Sequence, residues 1–196
     1  MSQALATLPI TVEQWANLDE DETGELVDGR LEEEEMPTAV HELVALLIAG
    51  LLSAWLSPRG GVAFGSELKL AVREGRGRKA DASAYFPGRP FPARSVGATK
   101  RAPTVVVEVL SPRPRDVRRD TVDKLAEYAV FGVAYYWIVD PLARTLEVRR
   151  LDPGGRHVTL ASAAEGAIQI PEHLGLVVDL DALWAETDKL PSDPEE

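Results

Sequence analysis

The spacing of apolar residues predicts helices in three parts of the chain, and a last short helix near Leu183 is expected to start at Asp179 or Asp181. Apolar residues recur every three or four positions from about residue 11 to 19 and again from about 38 to 56, which is the helical period. A third helical pattern covers roughly residues 116–131 and ends at Gly132, a residue type that often terminates helices. The second of these segments is the most apolar, and we expect it to be the main core helix.

Strands are predicted where apolar and polar residues alternate or where short apolar runs lie between turn residues. Asp28-Gly29 reads as a hairpin turn between two short strands in residues 25–32. The other predicted strands are 62–72, 79–86, 104–110, 134–139, a hairpin of 144–151 with 156–161, and short strands near 168–170 and 176–178. A strand–helix–strand unit in the middle indicates an α/β or mixed α+β fold with one central sheet.

Residues 104–112, with the sequence TVVVEVLSP, form the stretch around which the chain is organised. Its valines and leucine are typical of a strand covered on both faces, yet Glu108 lies among them. An unpaired ionised carboxylate in such a place is costly, so we expect a metal ion or a lysine beside it. The alternative is that Glu108 lies solvated at a strand end or pairs with an arginine.

Asp81 is predicted on the strand before that of Glu108, 27 residues away in the sequence. Two carboxylates that converge from adjacent strands suit a hard cation such as Mg²⁺. Lys124 borders the buried stripe of the third helix, and its stem could lie along the core while its ammonium reaches a cleft. Taken alone this pattern is weak, because acidic residues are common and both acids could lie on the surface.

Composition narrows the class of protein. The chain has 196 residues with 45% hydrophobic and 27% charged content, which predicts one soluble domain over residues 11–187, with tails at 1–10 and 188–196, the latter acidic and disordered. A net charge of -11 argues against a protein that coats nucleic acid by bulk charge, but permits a nuclease with a local basic rim.

The absence of cysteine is compatible with a reducing cytosol. No start resembling a signal peptide is present, and the apolar stretch 43–56 is too short and amphipathic to span a bilayer.

Several motifs in order make the sequence resemble a known family. They are Glu25-Leu-Val-Asp-Gly29, Pro37 with His41 at a helix start, the Asp81 strand, Glu108-Val-Leu-Ser-Pro112, Asp120 with Lys124 and Tyr128, and Gly132 through Pro141. Together they resemble the Uma-two family of restriction endonuclease-like proteins, in the PD-(D/E)XK nuclease superfamily. The resemblance covers roughly residues 11–184.

This resemblance implies a fold and a set of site residues. The fold is a restriction-endonuclease-like core with a central mixed sheet flanked by helices, plus extra C-terminal strands. The implied activity is Mg²⁺-dependent phosphodiester hydrolysis, with Asp81 and Glu108 as metal ligands and Mn²⁺ as a possible substitute. Leu110 stands where the superfamily pattern places a lysine, and Lys124 on the following helix is implied as its replacement.

The remaining implied residues complete a pocket. Glu25 is implied as an additional acid near the metal, and His41 and Tyr128 are implied to line the same pocket. On residue type alone, His41 could equally be structural. One departure is Ala80 before Asp81, where the family usually has proline, which shapes the strand entrance.

The sequence therefore predicts a cytoplasmic metal-dependent endonuclease that acts on DNA and does not enter membranes. Basic residues could contact phosphates at the cleft rim or could simply be solvated: Lys100, Arg101, Arg113, Arg115, Arg118 and Arg119. The alternative function is a catalytically silent interaction module with the same fold; a phosphohydrolase for small nucleotides is weaker, because no glycine-rich phosphate loop is present. The strand around Tyr135, Tyr136 and Trp137 could close a homodimer, or it could equally be core.

Overall fold

A computed structural model describes residues 9–18, 24–32, 37–95, 97–112, 118–173 and 175–191. Its largest element is a six-stranded mixed sheet with strand order β10-β9-β8-β7-β6-β3. Within it β7 and β8 run parallel and the other neighbours run antiparallel. These strands are β3 (Val62–Phe64), β6 (Ala82–Tyr85), β7 (Val105–Val109), β8 (Tyr135–Asp140), β9 (Thr145–Leu151) and β10 (His157–Ala163). The predicted central mixed sheet is confirmed.

Two helices cover one face of this sheet. Helix α2 (Ala39–Leu56) begins at the N-cap Thr38, whose hydroxyl accepts from the His41 amide. It packs with α4 (Leu180–Thr187) in a core cluster that includes Val105, Val107 and Val109 of β7. Two short strands, β11 (Ala167–Gln169) and β12 (Val177–Asp179), pair with each other. They are the predicted extra C-terminal strands.

The opposite face carries the third helix. Its helical part α3 (Lys124–Phe131) follows a π-helical turn, Arg119–Asp123, and ends at Gly132 with a left-handed backbone conformation. Tyr128 of α3 packs with Val106 and Tyr136 of the sheet. Successive side chains of a strand point to opposite faces, so Glu108 lies on the same side as Val106 and faces α3. The predicted start of this helix, residues 116 and 117, lies outside the described residues.

A second, four-stranded antiparallel sheet has the order β2-β1-β5-β4. It consists of β1 (Glu25–Val27), β2 (Arg30–Glu32), β4 (Lys69–Arg73) and β5 (Arg76–Lys79). The predicted hairpin turn is present, with φ of 49° at Asp28 and 74° at Gly29. Helix α1 (Val12–Ala16), capped by Thr11, places Trp15 in a small core with Leu26 and Ala71.

Two predicted strands are wrong in their extent. The predicted strand 62–72 divides into β3 of the central sheet and β4 of the second sheet, with an exposed turn around Ser66 between them. The predicted strand 79–86 divides in the same way, because the chain passes from β5 to β6 through Ala80 and Asp81. Alternation of polar and apolar residues has the same period in both sheets, so it does not reveal where the chain changes sheet.

Helix α2 has the predicted extent, but the apolar helical stretch is longer than residues 43–56. Together with the 3₁₀ turn that follows it, α2 covers 21 residues, Ala39–Arg59, with a mean hydropathy of 1.9, which by length and composition is enough to cross a membrane. The expectation that this segment is too short was therefore wrong. Val44, Ile48 and Leu52 are buried against the sheet, and 28% of the most apolar 18-residue window is buried. The expected absence of a membrane stays a prediction.

The strand suggested as a homodimer interface packs largely within the protein's own core. Tyr136 and Trp137 are fully buried in the protein's own cores, and Tyr135 is half-buried. Residues 188–190 continue the last helix through hydrogen-bonded turns, and 192–196 of the predicted acidic tail lie outside the described residues. Residues 1–8 of the predicted N-terminal tail lie outside them too, whereas the Ile10 amide bonds to the Gly29 carbonyl.

Gly77→Ala should destabilise the protein, because the new methyl group would lie 2.3 Å from an atom of the Trp15 ring. Overpacking of this kind costs about 1–3 kcal/mol in the free energy of unfolding. Urea denaturation followed by tryptophan fluorescence measures the change. Gly50→Ala is the matched control: it lies inside α2 with no atom within 4 Å of the added group, and it should be stabilising by about 0.5–1 kcal/mol. An unchanged Gly77→Ala variant would contradict the packing of α1 on the second sheet.

Candidate active site

The two predicted metal ligands lie on neighbouring strands. Strands β6 and β7 pair antiparallel with Ala82 opposite Val107, so the next step of the register brings Asp81 beside Glu108. The Asp81 Oδ2 atom accepts a hydrogen bond of 2.6 Å from the Val109 amide, which fixes its position against the end of β7. Both side chains line one cavity of about 180 Å³.

Glu108 is buried, and both of its oxygens have partners in the chain. Oε2 accepts from Lys124 Nζ at 2.9 Å and Oε1 accepts from the Tyr128 hydroxyl at 2.8 Å. Burial raises the pKa of Glu108, Lys124 lowers it, and the nearby charges of Asp81, Asp120 and Glu25 raise it again, to a value well above the ordinary one. The alternatives in which Glu108 is solvated or pairs with an arginine are therefore excluded.

Lys124 is the centre of the cluster. Its ammonium lies 2.9 Å from Glu108, 3.2 Å from Asp120 and 3.5 Å from Glu25. Burial alone would lower the pKa of Lys124, but the three carboxylates outweigh burial and raise the pKa well above the usual range. Lys124 is therefore a permanent cation at neutral pH and cannot act as a proton acceptor there.

The π-helical turn sets the direction of Lys124. The Lys124 amide bonds to the Arg119 carbonyl five residues back, as expected in a π turn. The Asp120 carbonyl accepts a hydrogen bond of 2.7 Å from the Tyr136 hydroxyl. A tyrosine on β8 thus anchors the turn that carries two members of the cluster, Asp120 and Lys124.

Glu25 reaches the cluster from the second sheet. Its Oε2 accepts from Arg78 Nη1 at 2.6 Å, and its Oε1 accepts from the Lys79 amide at 3.0 Å. Burial would raise the pKa of Glu25, but the charges of Lys124 and Arg78 lower it overall, so Glu25 stays ionised.

His41 and Tyr128 contact different acids of the same site. His41, in the first turn of α2, places Nε2 at 3.3 Å from Asp81 Oδ2. Burial lowers the pKa of His41, but the bond and charge of Asp81 outweigh burial and raise it. Tyr128 donates to Glu108 and is fully buried, so it supports the acid without lining the open cavity.

The predicted basic rim is only partly at this site. Arg119 lines the cavity, whereas Arg118 is exposed and lines a separate groove beside it. Lys100 pairs with Glu13 of α1 at 2.9 Å, and Arg101 donates to the Phe91 carbonyl. Arg113 and Arg115 lie outside the described residues.

The carboxylate oxygens of Asp81 and Glu108 are of the ligand type that a magnesium ion prefers. Within the described ranges no three Asp, Glu or His side chains are grouped closely enough to hold a metal ion by themselves. Mg²⁺, however, commonly uses one or two carboxylates and keeps several waters. Acidic side chains outnumber cationic ones around the cavity. Burial is the main cause of the raised pKa of Glu108, and the negative charges of Asp81, Asp120 and Glu25 add to it. A divalent cation held by Asp81 and Glu108 would offset this negative charge.

Sequence reasoning missed three charged residues of this cluster as site residues. Asp120 occurs in the family-like motif and lies four residues before Lys124, a spacing that could have revealed it. Arg78 and Glu127 carried no such signal. Arg78 is 2% exposed and bridges Glu25 and Glu127, which connects the second sheet to α3.

Comparison with known proteins identifies the family and the fold of this chain. The sequence model of the Uma2 family, described as "Putative restriction endonuclease", matches residues 11–181. This chain belongs to the Uma2 family. A solved structure with a similar fold is that of "a putative nuclease belonging to DUF820" from Anabaena variabilis, with a TM-score of 0.70 and 20% sequence identity over 90% of this chain and 98% of that one. At this identity the similarity concerns the fold, and it confirms the predicted nuclease-like core. No curated protein matches the chain.

Glu108→Gln should stabilise the metal-free protein, and increasingly so as the pH rises. The pKa of Glu108 in the folded protein lies above its ordinary value of 4.5, which applies to the unfolded chain. Between these two pKa values Glu108 is ionised in the unfolded chain but still protonated in the folded protein. The free energy of unfolding of the wild type therefore falls as the pH rises through this range. Glutamine mimics the neutral acid and avoids that loss, which is about 1.4 kcal/mol for each unit of pKa shift. Urea unfolding with a chelator at pH 5.5 and 8.5 measures the difference.

The matched control is Glu147→Gln on β9. Burial raises the pKa of Glu147, but Arg149 and Thr159 outweigh burial and lower it, so its charge is stabilising above the ordinary pKa. Glu147→Gln should therefore destabilise the protein slightly at both pH values. A Glu108→Gln variant that loses stability between pH 5.5 and 8.5 as steeply as the wild type would contradict the raised pKa of Glu108.

Proposed function

We propose that this protein is a metal-dependent endonuclease that hydrolyses DNA phosphodiester bonds. The observation that carries the proposal is the position of the Lys124 ammonium, 2.9 Å from Glu108 in a cavity that Asp81 also lines. Two acids and a lysine at one cavity are the groups that metal-assisted phosphodiester hydrolysis requires. Membership of a family described as a restriction endonuclease supports the same activity and DNA as the substrate.

Asp81 and Glu108 would hold the metal, with Mg²⁺ as the physiological ion and Mn²⁺ as a substitute. A bound divalent cation polarises the phosphodiester and lowers the pKa of a coordinated water. Asp81 is held by the Val109 amide, and Glu108 by Tyr128 and Lys124, so both carboxylates are oriented before any ligand arrives. Such preorganisation avoids rearrangement during the reaction.

Lys124 would orient the attacking water and stabilise the charge that develops on the phosphate oxygens. Its permanent positive charge suits electrostatic stabilisation rather than proton abstraction. Glu25 and Asp120 keep the ammonium at the cavity wall from two sides. His41, beside Asp81, would orient that carboxylate toward the metal and could take up the proton from the water.

DNA contacts would come from the basic residues near the cavity. Arg119 lines the cavity, and Arg118 lines the adjacent groove. Arg113 and Arg115 precede Arg118 in the sequence and lie outside the described residues. These side chains would bind phosphates without reading sequence. They would have to offset a net charge of -11, which makes a bound metal ion important for substrate binding as well as for chemistry.

A catalytically silent interaction module is the alternative. It is favoured by one observation: both Glu108 oxygens are already hydrogen-bonded within the chain. Under this alternative the cluster would only stabilise the fold. The two functions differ in whether the protein binds Mg²⁺ and cleaves DNA.

The wild-type protein should cleave supercoiled or single-stranded DNA with Mg²⁺ or Mn²⁺ and lose activity in EDTA. Glu108→Ala and Lys124→Met should each lower the cleavage rate by about a hundredfold or more, since each removes a group that acts on the transition state. Agarose gel assays measure the rates. The matched control, Glu186→Gln, changes an exposed acid of α4 that pairs with Lys189, and it should cleave normally. Absence of cleavage by the wild type on all substrates would favour the silent module.

Metal binding should depend on Asp81 and not on acids elsewhere. Calorimetric titration of the wild type with Mn²⁺ should give a saturable binding isotherm, and Asp81→Asn should weaken binding at least about tenfold, because it removes one of two anionic ligands. Glu186→Gln should bind as the wild type does. An Asp81→Asn protein with unchanged affinity would show that the ion lies at another place.

A further inference from the structure

Arg78 is the most deeply buried guanidinium among the described residues, with 2% of its surface exposed. Its three nitrogens each donate to one of two carboxylates. Nη1 donates to Glu25 at 2.6 Å, while Nε and Nη2 donate to Glu127 at 2.6 and 3.0 Å in a bidentate fork. A bidentate pair of this kind fixes the orientation of the carboxylate relative to the guanidinium as well as the distance between them.

The partners of Arg78 belong to different elements. Glu25 comes from β1, Arg78 from β5, and Glu127 from α3, one helical turn beyond Lys124. Because Glu25 in turn lies 3.5 Å from Lys124, the ion pairs form a closed ring: Lys124 to Glu25, Glu25 to Arg78, Arg78 to Glu127, and back along the helix to Lys124. Within this ring Lys124 cannot move away from Glu25 without separating a buried pair.

We propose that Arg78 and Glu127 are positioning residues for Lys124, acting through Glu25. Arg78 holds the Glu25 carboxylate at the cavity wall, and that carboxylate directs the Lys124 ammonium toward Glu108. Neither Arg78 nor Glu127 lines the cavity of Asp81 and Glu108, so neither touches the reacting groups there. Both line the groove beside it, as Arg76 does, so a general effect of that groove on DNA binding would appear in Arg76 variants as well. The inference rests on the proposed nuclease function for its kinetic consequences, but its geometric part stands without it.

Arg76 provides a matched control on the same strand. It contacts the same Glu127 carboxylate at 3.0 Å, but its other partner is Asp28 at 2.7 Å, away from the cavity. Arg76→Lys and Arg78→Lys therefore make the same chemical change two residues apart. Both keep the positive charge and lose the planar fork, which limits the risk of unfolding that a buried Arg78→Ala would bring.

The first test is kinetic. Arg78→Lys and Glu127→Gln should lower kcat for DNA cleavage about 10- to 100-fold, as loss of supporting contacts to active groups commonly does, with KM within about twofold of the wild type. Arg76→Lys should leave both constants within about twofold of the wild type. The double variant Glu25→Gln with Arg78→Lys should be no slower than Glu25→Gln alone, because Arg78 acts through Glu25. Additive losses in the double variant, or a normal kcat for Arg78→Lys, would overturn the proposal.

The second test does not depend on activity. A buried ammonium exchanges its protons slowly enough to give a ¹H–¹⁵N NMR correlation, and Lys124→Met would assign that signal. In the metal-free protein at one pH, the Lys124 signal should persist unchanged in Arg76→Lys and should shift or broaden in Arg78→Lys. An unaltered signal in Arg78→Lys would overturn the positioning role even if the protein cleaves no DNA. Absence of cleavage by the wild type alongside an altered signal would instead overturn only the nuclease function.

Discussion

The structure depends on one buried ammonium group shared by three carboxylates. Burying the charge of Lys124 or of Glu108 alone would be costly, because the charged group would be removed from water without gaining an oppositely charged partner. Together, with Glu25 and Asp120, they form a cluster in which the ammonium lies within 3.5 Å of three acids, while burial and the neighbouring acids raise the pKa of Glu108. The arrangement is tolerated because the three acids come from three different elements that meet around the same lysine.

The fold explains why these elements meet. The central sheet supplies Glu108 on the face that α3 covers, and the second sheet packs against the same helix from another side. The π turn carries Lys124 and Asp120, which are both buried, and the Tyr136 hydroxyl donates to the Asp120 backbone carbonyl. A site built from two sheets and a helix is rigid, because no single element can shift without disturbing the others.

Much of this site was predictable, and the limits have physical causes. Asp81 and Glu108 could be paired because adjacent antiparallel strands bring their ends together, and an acid within a valine-rich strand signals a special role. Lys124 could be placed because the helical period puts it beside the buried stripe. Glu25 came only from family resemblance, since nothing local distinguishes it from other acids of the hairpin. Arg78 and Glu127 could not be identified, because their role arises from how the second sheet docks on α3, a long-range contact that residue patterns do not encode. The point where the chain changes sheet, near Ala80 and Asp81, was missed for the same reason.

The bridge made by Arg78 also bears on how the protein reaches its native state. Its two partners lie 53 and 49 residues away along the chain, on opposite sides in sequence. Contacts at such separations form late, because large loops must close before they contribute. The charged cluster therefore cannot be assembled by local structure alone. A nascent or partly folded chain would hold its acids apart, and the reactive geometry would arise only once the two sheets and the helix have joined.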